Sequence, residues 1–330
     1  MAEIADAFFR EQLLDRRRRL ESAVTRTPAE PRLIQLLGEV DAALGRMEHG
    51  TYGICEVCHD TVEPTRLLTD PLVRYCLDHL TAAERSALEF DLEMAATLQR
   101  GLLPRPDASH NGWEIAHTYR PFGPVSGDYC DLVIEDGPES DLFFFLGDVS
   151  GKGVAASMLT AQLHAIFRAL AAQSRDVAQL VAQASRIFCE SSLSPYYATL
   201  VGGRAGAAGL LELTNAGHCP PLLVQGRSVT RLKPSGTPLG MFCDGDYPVE
   251  KLKLNPGDVL VIYTDGLSEA RNAEDQEYGE ERVTESVRNH RHFGPRGIVE
   301  GCLEGLARFM GGASLADDLT VMAIQRAAQG

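Results

Sequence analysis

Apolar residues recur along this chain in three textures. From residue 2 to 48 they fall at helical spacing: Phe8, Phe9, Leu13, Leu14 and Leu20, then Leu33, Leu36, Leu37, Val40, Leu44 and Met47. The segment TRTPAEP, residues 25–31, carries two prolines and interrupts the pattern, which predicts a helical hairpin too thin to hold a core alone. Residues 51–80 lose the period, are rich in Cys, Pro and Gly, and read as a compact loop-based unit. A second helical run covers residues 81–103, where Leu88, Leu92, Ala95, Leu98 and Leu102 form a near-heptad stripe that ends at Pro104 and Pro106. That stripe suits a helix packed on its own domain and a dimeric coiled coil equally.

After Trp113 short β-type runs take over: WEIAHTY, DLFFFLGDV, YYATLVGG, GLLELTNA and DVLVIYTD, with a last strand over residues 319–324. Helical patterns fall at residues 155–171, 177–191 and 296–310. Groups of strands separated by groups of helices, with a hairpin turn at residues 204–209, predict an α+β layered fold.

The formal net charge of −15 disfavours nucleic acid as a partner, and the run Arg16 to Arg19 reads as a solvated helix face. No stretch approaches the ~18 to 20 continuous apolar residues of a membrane span. The N-terminus mixes charged and apolar residues from the start, unlike a signal peptide, so a cytoplasmic protein off the membrane is expected. Of eight cysteines, Cys130, Cys189, Cys219, Cys243 and Cys302 are scattered and read as reduced and mostly buried.

The strongest chemistry lies in carboxylates at strand ends. Asp128 sits in VSGDYCD, Asp148 ends LFFFLGD, Asp265 ends VLVIYTD, and Asp317 and Asp318 open DDLTVMAI. Several such charges brought together repel one another unless a cation neutralises them. An oxygen-only donor set suits Mg²⁺ or Mn²⁺ rather than Zn²⁺. A pair of such ions can activate water for in-line attack on phosphorus with no covalent nucleophile. Each aspartate alone would read as a turn residue capping its neighbours.

In order, GPVSGDYCD, GDVSGKGVAA, TNAGHCPPLL, PLG, YTDGLSEA and DDLTV resemble the metal-dependent (PPM-type) protein phosphatases, and most closely their bacterial SpoIIE/RsbU branch. The likeness runs from residue 98 to 324, and the lead-in LQRGLLP also fits. It implies a sandwich of two antiparallel β-sheets flanked by helices, with two or more Mn²⁺ or Mg²⁺ ions between the sheets. Carried over residue by residue, Asp148 would bridge the metals and Val149 would ligate through its carbonyl, with Asp128, Asp265 and Asp317 completing the set. Asp148, Asp265 and Asp128 would thus be the catalytic acids. Asp131 and Asp318 would be accessory acids, and Asp317 is preferred over Asp318 as the first acid of its pair. In NAGHCPP, with Asn215, Gly217 and His218, the histidine would either orient a catalytic group or be a hydrogen-bonded turn residue. Lys152 would meet a substrate phosphate or solvate its turn. Ser150 stands where eukaryotic members of the superfamily carry a histidine proposed as general acid, and a serine alcohol serves poorly in that role near pH 7.

Cys55 and Cys58 form a CxxC, and after seventeen intervening residues Cys76 and His79 form a CxxH. Two short-spaced pairs separated in this way can close one tetrahedral, structural zinc site, leaving the neighbouring His59 outside it. GTYGICEVC followed by RLLTDPLVRYCLDH resembles the DksA/TraR zinc fingers, which commonly carry cysteine where this chain has His79. The hairpin turn lacks the Asp-x-x-Asp-x-Ala tip with which some of that family enter RNA polymerase, so polymerase is not the expected partner.

The expected organisation is a hairpin plus zinc finger over residues 1–80, a linker helix over 81–105 and a phosphatase domain over 106–330. The resemblance implies hydrolysis of phosphoserine or phosphothreonine, on a phosphorylated STAS-type anti-sigma-factor antagonist in a partner-switching pathway. The zinc module would regulate it, in a homodimer built through the N-terminal and linker helices. The alternative is a non-catalytic, phosphatase-like binding protein that regulates transcription through the zinc finger.

Overall fold

In the computed structural model the described residues are 2–27, 30–134, 140–191 and 196–327; the side chain of Phe8 and the predicted turn residues Pro28 and Ala29 lie outside the description. The chain divides into two compact units, Met1–Asp91 and Leu92–Gly330.

In the first unit helix α1 (Ala2–Arg26) packs on α2 (Pro31–Glu48). Leu13 meets Val40, Ala43 and Leu44, so the apolar stripe read along α2 does face inward. A second small core joins Phe9 to Cys55, Val62, Cys76 and Leu67, the last on the short helix α3 (Pro64–Thr69). Tyr52 donates to the Pro71 carbonyl (2.9 Å) and Arg46 to that of Leu72 (3.3 Å), so loop and hairpin are stitched through main-chain acceptors. The basic run is answered locally: Arg17 pairs with Glu21 and Asp41, and Arg18 and Arg19 with Asp15.

Helix α4 (Ala82–Leu102) starts at a capping box. The Glu84 amide donates to the Thr81 hydroxyl (3.1 Å), and the Thr81 amide to the Glu84 carboxylate (2.9 Å). Its buried positions are Ala96 and Gln99, whereas Leu98 of the predicted stripe is 67% exposed and Leu88 45%. The face turned to the protein is therefore offset from the one that leucine spacing picked out, and a polar residue occupies its buried centre.

In the second unit, strands β1 (Asp107–His110), β2 (Trp113–Arg120), β3 (Asp128–Ile134) and β4 (Leu142–Val149) lead into helices α5 (Gly153–Ala171) and α6 (Val177–Ser191). Strands β5 (Ala198–Ala205), β6 (Leu210–Ala216), β7 (Leu222–Gln225), β8 (Ser228–Arg231), β9 (Glu250–Lys253) and β10 (Val259–Tyr263) follow. Helices α7 (Asp265–Ser268), α8 (Gly279–His290) and α9 (Gly294–Met310) then precede the last strand, β11 (Leu319–Arg326). One antiparallel sheet has the order β1-β2-β11-β10-β7-β8, the other β3-β4-β5-β6-β9.

The period of two along each strand sorts side chains between layers. On β4, Leu142, Phe144 and Leu146 fill the core between the sheets, while Phe143 and Phe145 pack outward with Leu163, Phe167 and Phe188 of α5 and α6. On β10, Leu260 and Ile262 face the other sheet, and Val259, Val261 and Tyr263 face the helix layer with Ile298 and Leu306. Both sheets are thus covered on both faces, which is why these strands read as unbroken apolar runs. By length and composition α5 would pass for a membrane span, contrary to the reading of the sequence, but it is half buried and serves as a core helix.

Cys130 and Cys302 are free and buried and Cys219 is free and partly buried, whereas Cys189 and Cys243 are joined by a disulfide, which corrects the expectation that all five scattered cysteines are reduced. Phe144 is fully buried at the centre of the inter-sheet core. Phe144→Ala is expected to cost about 3–5 kcal/mol of unfolding free energy, seen as a lower denaturant midpoint with an unchanged m-value.

Candidate functional site

The alternation that builds the inter-sheet core also delivers the acids. Continuing the row Leu142, Phe144, Leu146 by one step places Asp148 on the inter-sheet face of β4. Asp128 shares a face with Cys130 of that core, and in the β3–β4 register it stands directly opposite Asp148. Such cross-strand neighbours have Cβ atoms about 4.5–5.5 Å apart, and like charges there are destabilising. The same step past Ile262 gives Thr264, and one before Met322 gives Thr320. Both hydroxyls donate to Asp128 Oδ2, at 3.0 and 2.5 Å, so one carboxylate oxygen bridges the two sheets.

Asp265 opens α7 immediately after β10. A Cβ at Gly266 would lie 1.9 Å from the Asp318 carbonyl oxygen, so glycine alone lets this turn approach the Asp317–Asp318 backbone. Asp318 is spent on the loop between β2 and β3, its two oxygens accepting the amides of Phe122 (2.7 Å) and Gly127 (2.8 Å). Asp317 points outward instead, and Lys152 donates to its Oδ2 (2.9 Å) and to the Ala316 carbonyl (3.0 Å). A Cβ at Gly127 would stand 3.1 Å from the Val149 carbonyl oxygen and 3.4 Å from Asp148 Oδ1. The missing side chain therefore leaves both of those oxygens open on one side.

The electrostatics follow from the crowding. Burial, then Asp265, Asp317 and Asp318, push the Asp148 carboxyl up to about 7. Burial above all, with Asp148 and Asp318, raises Asp128 well above the usual range against the help of Thr320 and Thr264. Burial and then Asp317 raise Asp265. Among the described residues, Lys152 is the cation whose charge reaches both Asp148 and Asp265. Oxygen-only donors that resist ionising beside one another fit hard divalent cations, Mg²⁺ or Mn²⁺. Among the described residues, three or more such ligand atoms lie within 4.8 Å of one another only in the cysteine–histidine group, so the carboxylates crowd one another without converging that closely.

Asp131 is corrected. Three residues along β3 from Asp128, it faces the opposite side of the sheet. There Arg168 grips it with two bonds of 2.9 Å and His164 Nδ1 lies 3.1 Å away. Burial would raise its carboxyl, but these two partners hold it below the ordinary range, and it is a structural ion pair away from the other acids. His218 is a buried turn residue: its amide donates to Asn215 Oδ1 (2.7 Å), and its Nδ1 meets the Thr199 hydroxyl (2.8 Å). Thr199 pairs with Asp148 in the β4–β5 register, which puts His218 on the same face of that sheet, one residue removed from Asp148. Burial lowers its pKa to about 4, so it is neutral at pH 7. Gly217 has a φ of +69°, and a Cβ there would strike Pro238. The Ser150 hydroxyl accepts the Tyr197 amide (3.0 Å). Thr264, Thr320, Gly127 and Gly266 went unread in the sequence; extending the strand alternation by one residue would have found the two threonines.

In the first unit, the ligand atoms of Cys55, Cys58, Cys76 and His79 all lie within 4.8 Å of one another. A tight turn makes the CxxC half, with the Cys55 amide donating to the Asp60 carbonyl (2.8 Å) and the His59 amide to that of Cys55 (3.0 Å). Burial opposes ionisation of Cys55, but the backbone amides of Cys58, Cys76 and Val57 bring it down to about 6. Three sulfurs and one imidazole with a thiolate-favouring turn fit Zn²⁺.

The profile of the Stage II sporulation protein E (SpoIIE) family matches residues 138–327, more than half of the chain. The chain belongs to the SpoIIE family. Residues 50–78 also match the prokaryotic dksA/traR C4-type zinc finger, so the SpoIIE domain is preceded by a zinc finger whose fourth candidate ligand here is His79. Protein IcfG of Synechocystis is 27% identical over 265 residues, covering 72% of this chain and 41% of that protein. Phosphoserine phosphatase RsbP of Bacillus subtilis is 27% identical over 184 residues, 54% of this chain and 45% of that one. The chain thus spans less than half the length of these two relatives. The SiaA-PP2C domain of Pseudomonas aeruginosa superposes with a TM-score of 0.64 at 21% identity, over 75% of this chain and 99% of that domain, and shares the PP2C fold.

Two outcomes follow. Without added Mn²⁺ or Mg²⁺, the folded SpoIIE domain keeps a proton on Asp148 between about pH 4 and 7 that the unfolded chain has already released. Stability therefore falls as pH rises through that window. Asp148→Asn should flatten the slope and raise the melting temperature at pH 8 by a few degrees, measured by circular dichroism; an unaltered slope would refute the assignment. For the finger, elemental analysis should find one zinc per chain, kept in His79→Cys and lost in Cys55→Ser.

Proposed function

We propose that this chain is a metal-dependent phosphoprotein phosphatase acting on phosphoserine or phosphothreonine. The observation that carries the reading is the Asp128–Asp148 cross-strand pair, set between two sheets with Asp265 and Asp317 at neighbouring strand ends. Asp148, the Val149 carbonyl, Asp128, Asp265 and Asp317 would hold two or more Mn²⁺ or Mg²⁺ ions. Bound there, such ions supply charge neutralisation at phosphorus and lower the pKa of an attacking water.

The rest falls to the chain's own residues. Thr264 and Thr320 fix one oxygen of Asp128 and leave the other for a ligand. Asp318, tied to two amides, holds the loop that carries Gly127, and this supports Asp317 as the ligand of the pair. Neutral, buried His218 braces β4 through Thr199 and carries no imidazolium proton to give a leaving group. Lys152, 58% exposed and beside Asp317, is the cation placed to meet an incoming phosphate.

The substrate we favour is a STAS-type anti-sigma-factor antagonist, in keeping with relatives named as phosphoserine phosphatases. In this reading residues 1–80 form a zinc module that regulates catalysis in the cytoplasm, residues 81–105 the linker, and residues 106–330 the catalytic domain. Exposed Leu88, Phe90, Met94 and Leu98 on α4 support a homodimer through that helix.

Phosphate release from p-nitrophenyl phosphate and from a phosphoserine protein is expected to require Mn²⁺ or Mg²⁺. It should drop at least about a thousandfold in Asp148→Asn, and far more in Asp317→Asn than in Lys152→Ala. A folded wild type that binds Mn²⁺ yet releases no phosphate would point to a binding protein instead.

A further inference from the structure

The last turns of α4 are tied to the strand that carries Asp128, on both sides of that residue. On the near side is Gln99, only 8% exposed. Its Nε2 donates to the Ser126 carbonyl (2.7 Å), and its Oε1 accepts the Ser126 amide (3.0 Å). The side-chain amide thus serves Ser126 as one rung of a β-ladder would, bonding both its N–H and its carbonyl. The Ser126 hydroxyl in turn accepts the Asp128 amide (3.1 Å). Between them, Gly127 gives its amide to Asp318 (2.8 Å), and its carbonyl accepts from Thr160 (3.0 Å). On the far side Arg168 donates to the Leu102 carbonyl at the end of α4 (3.1 Å) while it grips Asp131.

A buried amide in a helix face is costly unless both of its halves are bonded, and a leucine of similar size would fill the place without that cost. Here both halves are bonded, and both to the main chain of one residue two positions before Asp128. The other anchors of residues 126–128 fall on Gly127, from α5, β4 and the Asp318 loop, and on Asp128, from Tyr119, Thr264 and Thr320; the main chain of Ser126 is held by Gln99. We infer that Gln99 is a positioning residue for the metal site: by fixing the backbone at Ser126 it sets the carboxylate of Asp128 and, through it, the affinity for the divalent cation. This rests on the reading of Asp128 as a metal ligand.

Gln99→Leu keeps the volume and removes both bonds. In the full-length protein, calorimetric titration with Mn²⁺ is expected to show a dissociation constant raised about tenfold, what one or two buried hydrogen bonds are worth. At saturating Mn²⁺, turnover should return to within about twofold of wild type, since Gln99 touches no reacting atom. Amide exchange should quicken at Ser126 and Asp128 while the amides of β4 stay protected, which general loosening of the fold would not produce. Ser126→Ala, which keeps the Gln99 pair and removes only the hydroxyl, should weaken Mn²⁺ binding by a smaller factor, and it carries the test should Gln99→Leu fail to fold. Wild-type Mn²⁺ affinity and wild-type protection of residues 126–128 in a folded Gln99→Leu, or in its stead unchanged affinity in Ser126→Ala, would overturn the inference. A wild type that itself binds no Mn²⁺ would overturn the reading of the site, and the inference with it.

Discussion

Repulsion between carboxylates that share one buried layer is the constraint around which the second unit is organised. Asp128 and Asp148 are register partners on adjacent strands, and Asp265 and Asp317 add charge from the opposite sheet. No apolar packing relieves that repulsion; it is relieved by protons or by cations. The two remedies differ in consequence. Protonation leaves neutral acids with no use, whereas a divalent ion turns the same geometry into a centre able to act on phosphate. A site of this kind is unstable in the absence of what it binds, and the surrounding structure must supply the difference.

That support is visible in the layers. The core between the sheets is formed by large side chains such as Trp113, Phe144 and Met322, and helices cover both outer faces. Around the acids the support turns from apolar to polar: hydroxyls from Thr264 and Thr320, main-chain amides on Asp318, and glycines where backbones must touch. Each of these devices acts on the orientation of a carboxylate and not on its presence.

The central strands and longer helices of the second unit could be read from sequence because burial on both faces or on one stripe leaves a strong pattern. DLFFFLGDV, DVLVIYTD and the helix over 177–191 were legible for that reason. β1, β7, β8 and β9 were not, being four residues each, and the polar helix α8 was also missed. β3 was missed because its first residues, DYCD, look like a turn; the two aspartates in it face opposite sides, a distinction invisible until the strand is recognised. On α4 the leucines were a partial guide, since Leu92 and Leu102 are half-buried whereas Leu88 and Leu98 are exposed. The helix meets its neighbours with small and polar residues, Ala96 and Gln99, and leaves large apolar ones outside. The cysteine–histidine spacing was legible because a metal site needs only local chain geometry, whereas the Cys189–Cys243 pairing depends on tertiary contact.

The bridge at Asp128 has a consequence for how such a chain can change over generations. Its carboxylate on one sheet and the hydroxyls of Thr264 and Thr320 on the other form a single unit drawn from three separate stretches of sequence. Losing any one member leaves its partners a hydrogen bond short in a buried layer, so single replacements are penalised more than their chemistry alone suggests. Lineages that keep the acid should keep both threonines or replace them by other donors, and a lineage that abandons the acid has reason to abandon all three together. The three positions are bound to one another, and a change at one bears on the other two.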